Sequence, residues 1–253
     1  MYKHKPGTPQ VANSIYNQLG DQWYNAYDNP VALLRAESRL KTPWIHHRIQ
    51  KYFPDPNNCH ILDLGCGAGF LSNSFALLGY SVKGIDLSED SLSVARRHDP
   101  TGSVVYQKAD AYNLPFRNSS FQVVTAMDFL EHVEKPDLVI QEAARVLEAG
   151  GLFFFHTFNR NWLSGLVVIK GVEWLIKNTP KHMHLLRLFI TPPEMINFCQ
   201  THGLETLEIT GLKPDLKLRH LLDIFKREVP KDFSFSLTPR LNISYLGFAS
   251  HVL

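Results

Sequence analysis

The chain of 253 residues predicts a doubly wound α/β fold, with a mainly parallel seven-stranded sheet, helices ahead of the first strand and a helical insertion after the fifth. Three observations lead there. Short apolar runs alternate with segments of helical periodicity; the first such run, Ile61-Leu62-Asp63-Leu64, breaks into glycines at 65, 67 and 69 before resuming as a helix at Phe70-Leu71; and acids, Asp86 and Asp110, stand where later runs end. A formal net charge of +2 with no long Lys/Arg run argues against a nucleic-acid partner.

Before the first strand, Tyr16, Leu19, Trp23 and Tyr27, then Leu33, Leu34, Leu40, Trp44 and Ile45, recur at helical spacing between Ala12 and Phe53. Residues 1–57 thus read as a helical lead-in that covers a sheet edge or lids a cleft, and residues 58–253 as the main domain, with an insertion at 158–190. Met1–Gln10 is polar without an apolar core, so neither a signal peptide nor an anchor is expected. Three cysteines, Cys59, Cys66 and Cys199, lack paired spacing, which fits reduced thiols in the cytoplasm.

After the glycine turn, a helix runs from Phe70 to Leu78 and stops at Gly79. Ser81–Asp86 is the second strand; Ser88 caps a helix from Glu89 to His98 with two acids in its first turn. Val104–Lys108 and Phe121–Met127 are the third and fourth strands. A helix over Pro136–Leu147, a turn at Gly150-Gly151 and the almost wholly apolar strand Leu152–Thr157 follow. Thr191-Pro192-Pro193-Glu194 has capping-box spacing and opens a helix to about His202. Leu204–Thr210 and Ile243–His251 close the sheet, and residues 212–240 read as a long irregular connection.

Bare backbone is needed where a chain turns sharply against a ligand, which points to Gly65 and Gly67 with Cys66 between them. Asp86, 17 residues after Gly69, is placed to accept both hydroxyl hydrogens of a ribose. Phe70 stands where a dinucleotide fingerprint carries its last glycine, so no pyrophosphate is indicated. S-adenosylmethionine (SAM) has ribose and adenine but no phosphate. Asp63 or the turn carbonyls suit its ammonium and Asp110 its adenine, with Leu87 and Ala111 as their neighbours.

The stretch 61–69, Asp86, Asp110-Ala111 and Leu147-Glu148-Ala149-Gly150-Gly151 resemble the Rossmann-like class I SAM-dependent methyltransferases. Narrower blocks, Met127-Asp128-Phe129-Leu130-Glu131-His132-Val133, Phe155-His156-Thr157-Phe158-Asn159-Arg160-Asn161, Gly171-Val172-Glu173-Trp174, Pro180-Lys181-His182-Met183-His184 and Phe189-Ile190-Thr191-Pro192, resemble the O-methyltransferases of ubiquinone biosynthesis. That resemblance implies methylation of a polyprenyl catechol or demethylubiquinol, and cofactor contacts at Arg39, Gly65, Asp86 and Met127. Asp128 replaces the family's usual Glu, and Lys181-His182-Met183-His184 its Lys-Gly-Thr-His. Residues 112–120 look like generic small-molecule methyltransferases, which keeps a soluble acceptor open. A binding module that holds SAM without transferring a methyl is the rival of another class.

Methyl transfer from a sulfonium to a hydroxyl needs the acceptor oxygen positioned and made nucleophilic by a base or a cation. Asp128, Glu131 and His132 form an oxygen and nitrogen set that suits Mg²⁺ or another divalent ion, with Glu131 and His132 also catalytic candidates. His156 and His184 are further candidate bases, and His184 has the better claim, because the resemblance places it on the family histidine, in a segment expected to fold over the acceptor pocket. Residues 162–176 carry two tryptophans and aliphatic bulk among Arg160, Lys170, Lys177, Lys181 and Arg187. This stretch is too short to span a bilayer and suits peripheral membrane contact, a packed lid or a dimer contact.

Overall fold

The computed structural model describes residues 13–252, so the polar lead-in Met1–Gln10 and the start of the helical pattern at Ala12 lie outside the described residues. A 3₁₀ turn over Asn13–Gln18 leads to the short helix α1 (Gln22–Asn25) and the long helix α2 (Val31–Tyr52). The helical pattern breaks between them because Pro30 disfavours helical geometry at Asn29 and cannot donate into a preceding turn.

Five strands then alternate with helices: β1 (His60–Leu64), α3 (Phe70–Leu77), β2 (Ser81–Asp86), α4 (Glu89–Arg97), β3 (Val105–Lys108), β4 (Phe121–Met127), α5 (Pro136–Val146) and β5 (Leu147–Phe158). Local chemistry sets these boundaries. At α4 the Ser88 hydroxyl accepts the Ser91 N–H at 3.1 Å, with Glu89 and Asp90 in the first turn and Arg96 and Arg97 in the last, as the helix dipole favours. Gly150-Gly151 does not form the expected turn ahead of the fifth strand. β5 begins at Leu147 and absorbs the glycines in an irregularity, with Phe121 opposite Leu147 but Val123 opposite Leu152.

The insertion consists of α6 (Trp162–Ser164), a π-helical stretch over Gly165–Gly171 and α7 (Val172–Leu175). Next come α8 (Pro192–Thr201), started by the Thr191/Glu194 capping box, β6 (Leu204–Pro214), α9 (Leu221–Phe225), β7 (Phe235–Thr238) and β8 (Ser244–His251).

Among the described residues the sheet has eight strands, in the order β3-β2-β1-β4-β5-β8-β6-β7. The first five are parallel; β8 lies antiparallel between β5 and β6, and β7 antiparallel on the outer edge of β6. The count exceeds the expected seven because β7 falls in the connection that reads as irregular. Four half-exposed edge residues are too few to display a period. β5 reads as continuously apolar because both its faces are covered. Phe153 and Phe155 pack with Val139, Ile140 and Met195 on one side, whereas Phe154 packs with Trp44, Ile49, Phe75 and Phe248 on the other. Trp44, Ile45 and Ile49 make α2 part of that second core and carry its preceding turns over the carboxyl ends of the parallel strands.

Candidate active site

A cavity of about 610 Å³ opens at the carboxyl ends of β1, β2 and β4, the size and place expected of a small-molecule site in a parallel sheet. Its floor is the glycine turn. Gly65 and Gly67 have φ of +65° and +52°, and a Cβ would lie 2.3 Å from the Phe129 ring at Gly65 and 3.2 Å from the Trp23 ring at Gly67. Only glycine fits both the backbone and the space. Asp86 clamps the turn, one carboxylate oxygen accepting the Gly67 N–H at 3.0 Å and the other the Ser88 N–H at 2.8 Å. Since a carboxylate offers about four acceptor positions, capacity remains for a ribose diol.

Asp63 is 3% exposed, with its oxygens bonded to the Ser72 hydroxyl at 2.6 Å and the Thr125 hydroxyl at 2.7 Å. Burial pushes its carboxyl up to about 6 against those bonds. It braces the turn from behind while still bordering the cavity. Cys66, Leu87, Ala111 and Met127 line the cavity, as does the exposed Asp110, which accepts the Tyr112 N–H at 2.9 Å. Burial raises the Cys66 thiol well above its ordinary value, which keeps it an inert wall. Arg39 is a correction. It is not among the lining residues, and its guanidinium donates to the Phe233 carbonyl at 2.7 Å; one face of α2 presents Leu34, Ser38 and Lys41 to the cavity instead.

At the other end of the cavity stand Asp128, Phe129 and His132. Asp128 adopts φ of +55° at the end of β4, which swings its carboxylate toward α2. There the Lys41 ammonium donates to both its oxygens at 2.6 and 2.7 Å, bonds Glu37 one turn earlier, and lies 2.9 Å from His156 Nδ1. Burial alone would raise the Asp128 carboxyl, but Lys41 and His156 outweigh it and hold it far below the carboxylate range. Asp128 and Glu37 likewise outweigh the burial of Lys41 and keep it charged.

Glu131 and His132 lie in a 3₁₀ turn over Leu130–His132. Glu131 is fully buried, and burial, followed by the charge of Asp128, pushes its carboxyl up to about 8. One of its oxygens accepts the Thr157 hydroxyl at 3.1 Å, and Oε1 has no partner. Burial pushes His132 down to about 4 and His184 to about 3, the latter helped by His132. Both imidazoles are therefore neutral at pH 7. Their rings are 5.3 Å apart, His132 Nδ1 has no partner, and His184 packs against Phe158 and Phe189.

The expected metal set, Asp128, Glu131 and His132, does not converge. Among the described residues the group whose ligand atoms all lie within 4.8 Å of one another is Glu37, Asp128 and His156, and Lys41 already fills its centre. Asp128 faces α2 while Glu131 faces β5, so the residues present do not fit a divalent ion held by the expected three.

Lys41, Glu37 and Tyr16 escape the sequence reading. Glu37 and Lys41 had a signal: with Trp44 and Ile45 they occupy one stripe at i, i+4, i+7 and i+8, a stripe otherwise reserved for the core. Tyr16 reads as part of an aromatic stripe, yet it lines the cavity, stacks on Trp23 and meets the His132 ring edge-on at 6.0 Å.

Residues 62–155 match the family model described as "Methyltransferase domain". Among curated proteins, "Ubiquinone biosynthesis O-methyltransferase" of Thiobacillus denitrificans is 37% identical over 89% of this chain and 94% of its own length. The protein of the same name from Hydrogenovibrio crunogenus is 34% identical over 96% and 94%. Among solved structures, a SAM-dependent methyltransferase from Thermotoga maritima superposes with a TM-score of 0.61 at 15% identity, covering 94% of this chain and 99% of that one. Magnesium protoporphyrin IX methyltransferase from Synechocystis, solved with bound S-adenosylhomocysteine (SAH), gives 0.57 at 17% identity, covering 97% and 90%. The structures share the fold, and the sequence relatives decide the rest: this chain belongs to the ubiquinone biosynthesis O-methyltransferase family of SAM-dependent methyltransferases.

Proposed function

We propose that the protein methylates a phenolic hydroxyl of a prenylated catechol or demethylubiquinol, with His132 as the base. The observation that carries this reading is a neutral, half-buried imidazole in the wall of the same cavity as Asp86 and the glycine turn. The names of the relatives supply the acceptor class.

SAM, when bound, supplies a methyl on a sulfonium that leaves as a neutral thioether. Asp86 would hold the ribose hydroxyls, the amides and carbonyls of residues 65–67 the amino-acid end, and Asp110 the adenine side, between Leu87 and Ala111. Tyr16, Trp23 and Phe129 exclude water above the turn. His132 accepts the phenolic proton, so the acceptor oxygen attacks as a phenolate. His184, whose ring adjoins His132, orients that base and the apolar acceptor. A divalent ion on Asp128, Glu131 and His132 is not part of this reading, since the three do not converge.

No helix among the described residues is long and apolar enough to cross a membrane. The insertion nevertheless exposes Trp162 (76%) and Trp174 (66%) with Leu166, Val167 and Leu175, while Leu218, Leu222 and Phe225 are exposed in the later connection. Lysines 170, 177 and 181 accompany the insertion. These patches suit the headgroup region of an anionic bilayer, where a prenylated acceptor resides.

The test is transfer of a radiolabelled methyl from SAM to a short-chain demethylubiquinol, compared with soluble catechols. Preference for the prenylated acceptor supports the reading; transfer to soluble catechols alone would replace the acceptor, and SAM binding without any transfer would replace the enzyme with a binding module. Flotation with anionic vesicles should recover the wild-type protein but not Trp162→Ala/Trp174→Ala, and a wild type that stays at the bottom removes the membrane contact.

A further inference from the structure

Three groups of metal-ligand type from separate parts of the chain, Glu37 on α2, Asp128 after β4 and His156 on β5, surround one point beside the cavity. Glu37 is 6% exposed and His156 is fully buried. Such a shell of two carboxylates and an imidazole is what a divalent ion uses. Here the point is taken by Lys41 Nζ, itself on a residue only 2% exposed, within bonding distance of all three groups. An ammonium has three hydrogens and no acceptor, and the Glu37 oxygen and the two Asp128 oxygens take all three, while His156 Nδ1 donates to Asp128 Oδ1. A second cation cannot enter without expelling the first, and the buried lysine has no solvated alternative.

We infer that Lys41 is the resident cation of the Glu37–Asp128–His156 cage, standing where a divalent ion would otherwise sit, and that it acts as a positioning residue holding Asp128 in the cavity wall. The inference rests on the reading of this cavity as the methyl-transfer site. Lys41 draws the Asp128 carboxylate toward α2 and fixes the strained turn at its φ of +55°. One edge of that carboxylate still borders the cavity between the glycine turn and His132. Removing the ammonium leaves a vacant three-ligand site, whereas an arginine is too large and too planar to reproduce the point charge but keeps the cage cationic.

The experiment titrates Co²⁺ into the full chain after dialysis against chelator, reading visible absorption and heat, with SAH binding measured in parallel as a check of the cofactor pocket. Wild type and Lys41→Arg are expected to take up no ion in the cage. Lys41→Met, folded by its melting curve, is expected to gain one coloured Co²⁺ site per chain that disappears in Lys41→Met/Glu37→Gln. Wild-type uptake that Glu37→Gln abolishes would overturn the inference, as would a folded Lys41→Met that gains no site. Should Lys41→Met not fold, the wild type and Glu37→Gln decide between the same two outcomes. A protein that behaves as expected toward cobalt but binds no SAH overturns the methyltransferase reading and leaves the cage intact.

Discussion

The two ends of the cavity are built in opposite ways. The donor end is one continuous stretch of backbone, the turn at 65–69, clamped by Asp86 through two N–H bonds, with the Trp23 Nε1 above it buried without a partner. The acceptor end is assembled from α2, the turn after β4, β5 and the segment around His184. It retains buried atoms without partners: Glu131 Oε1, His132 Nδ1 and His156 Nε2. An unsatisfied buried polar atom costs stability, and three of them gathered at one end of the cavity suit a site that a ligand completes. Binding geometry therefore concentrates at the donor end and proton chemistry at the acceptor end.

That contrast breaks most directly at His132. His132→Gln should lower kcat by about 10²- to 10⁴-fold, the usual contribution of a positioned base, while SAH affinity stays the same in calorimetry. An unchanged kcat would move the base to His184. Asp86→Asn should do the reverse, weakening SAH binding by about 10- to 100-fold through loss of charge-assisted hydrogen bonds, with kcat at saturating SAM largely retained. Gly65→Ala probes the backbone itself. Its left-handed conformation costs a side chain about 1–2 kcal/mol, and Phe129 must also give way, so weaker SAH binding and a lower melting temperature should appear together.

The smallest effect concerns pH. Below about 4.5 Glu131 is protonated in both folded and unfolded chains; as pH rises to about 8 only the unfolded carboxyl ionises, so folding stability drains across that window. Glu131→Gln removes the slope and can still accept from Thr157. Its melting temperature should exceed that of the wild type by a few degrees near pH 8 and by progressively less toward pH 4.5. Parallel melting curves for the two proteins across this range would show that Glu131 ionises normally.

The glycine turn, β1, β2, β4, the Ser88 cap and the Thr191/Glu194 box are all legible in the sequence, because each depends on residues within a few positions of one another. Asp86 belongs to the same class, since the length of one βα unit brings it back to the turn. The blocks around Glu131-His132 and His184 pointed to the acceptor end through resemblance, yet what those residues face was not written in their spacing. Asp128 turned from a metal ligand into the partner of a lysine, and Arg39 from a cofactor contact into a tie to Phe233, because α2 packs through Trp44, Ile45 and Ile49 and that packing sets its rotation. A helix rotated by one residue, about 100°, presents a different side chain to the cavity. Local periodicity determined where this chain turns and what its glycines can cradle; only the tertiary structure decided which charges meet across 87 residues of sequence, as Lys41 and Asp128 do, because long-range ion pairing is chosen by the packing of the core and not by neighbours in the chain.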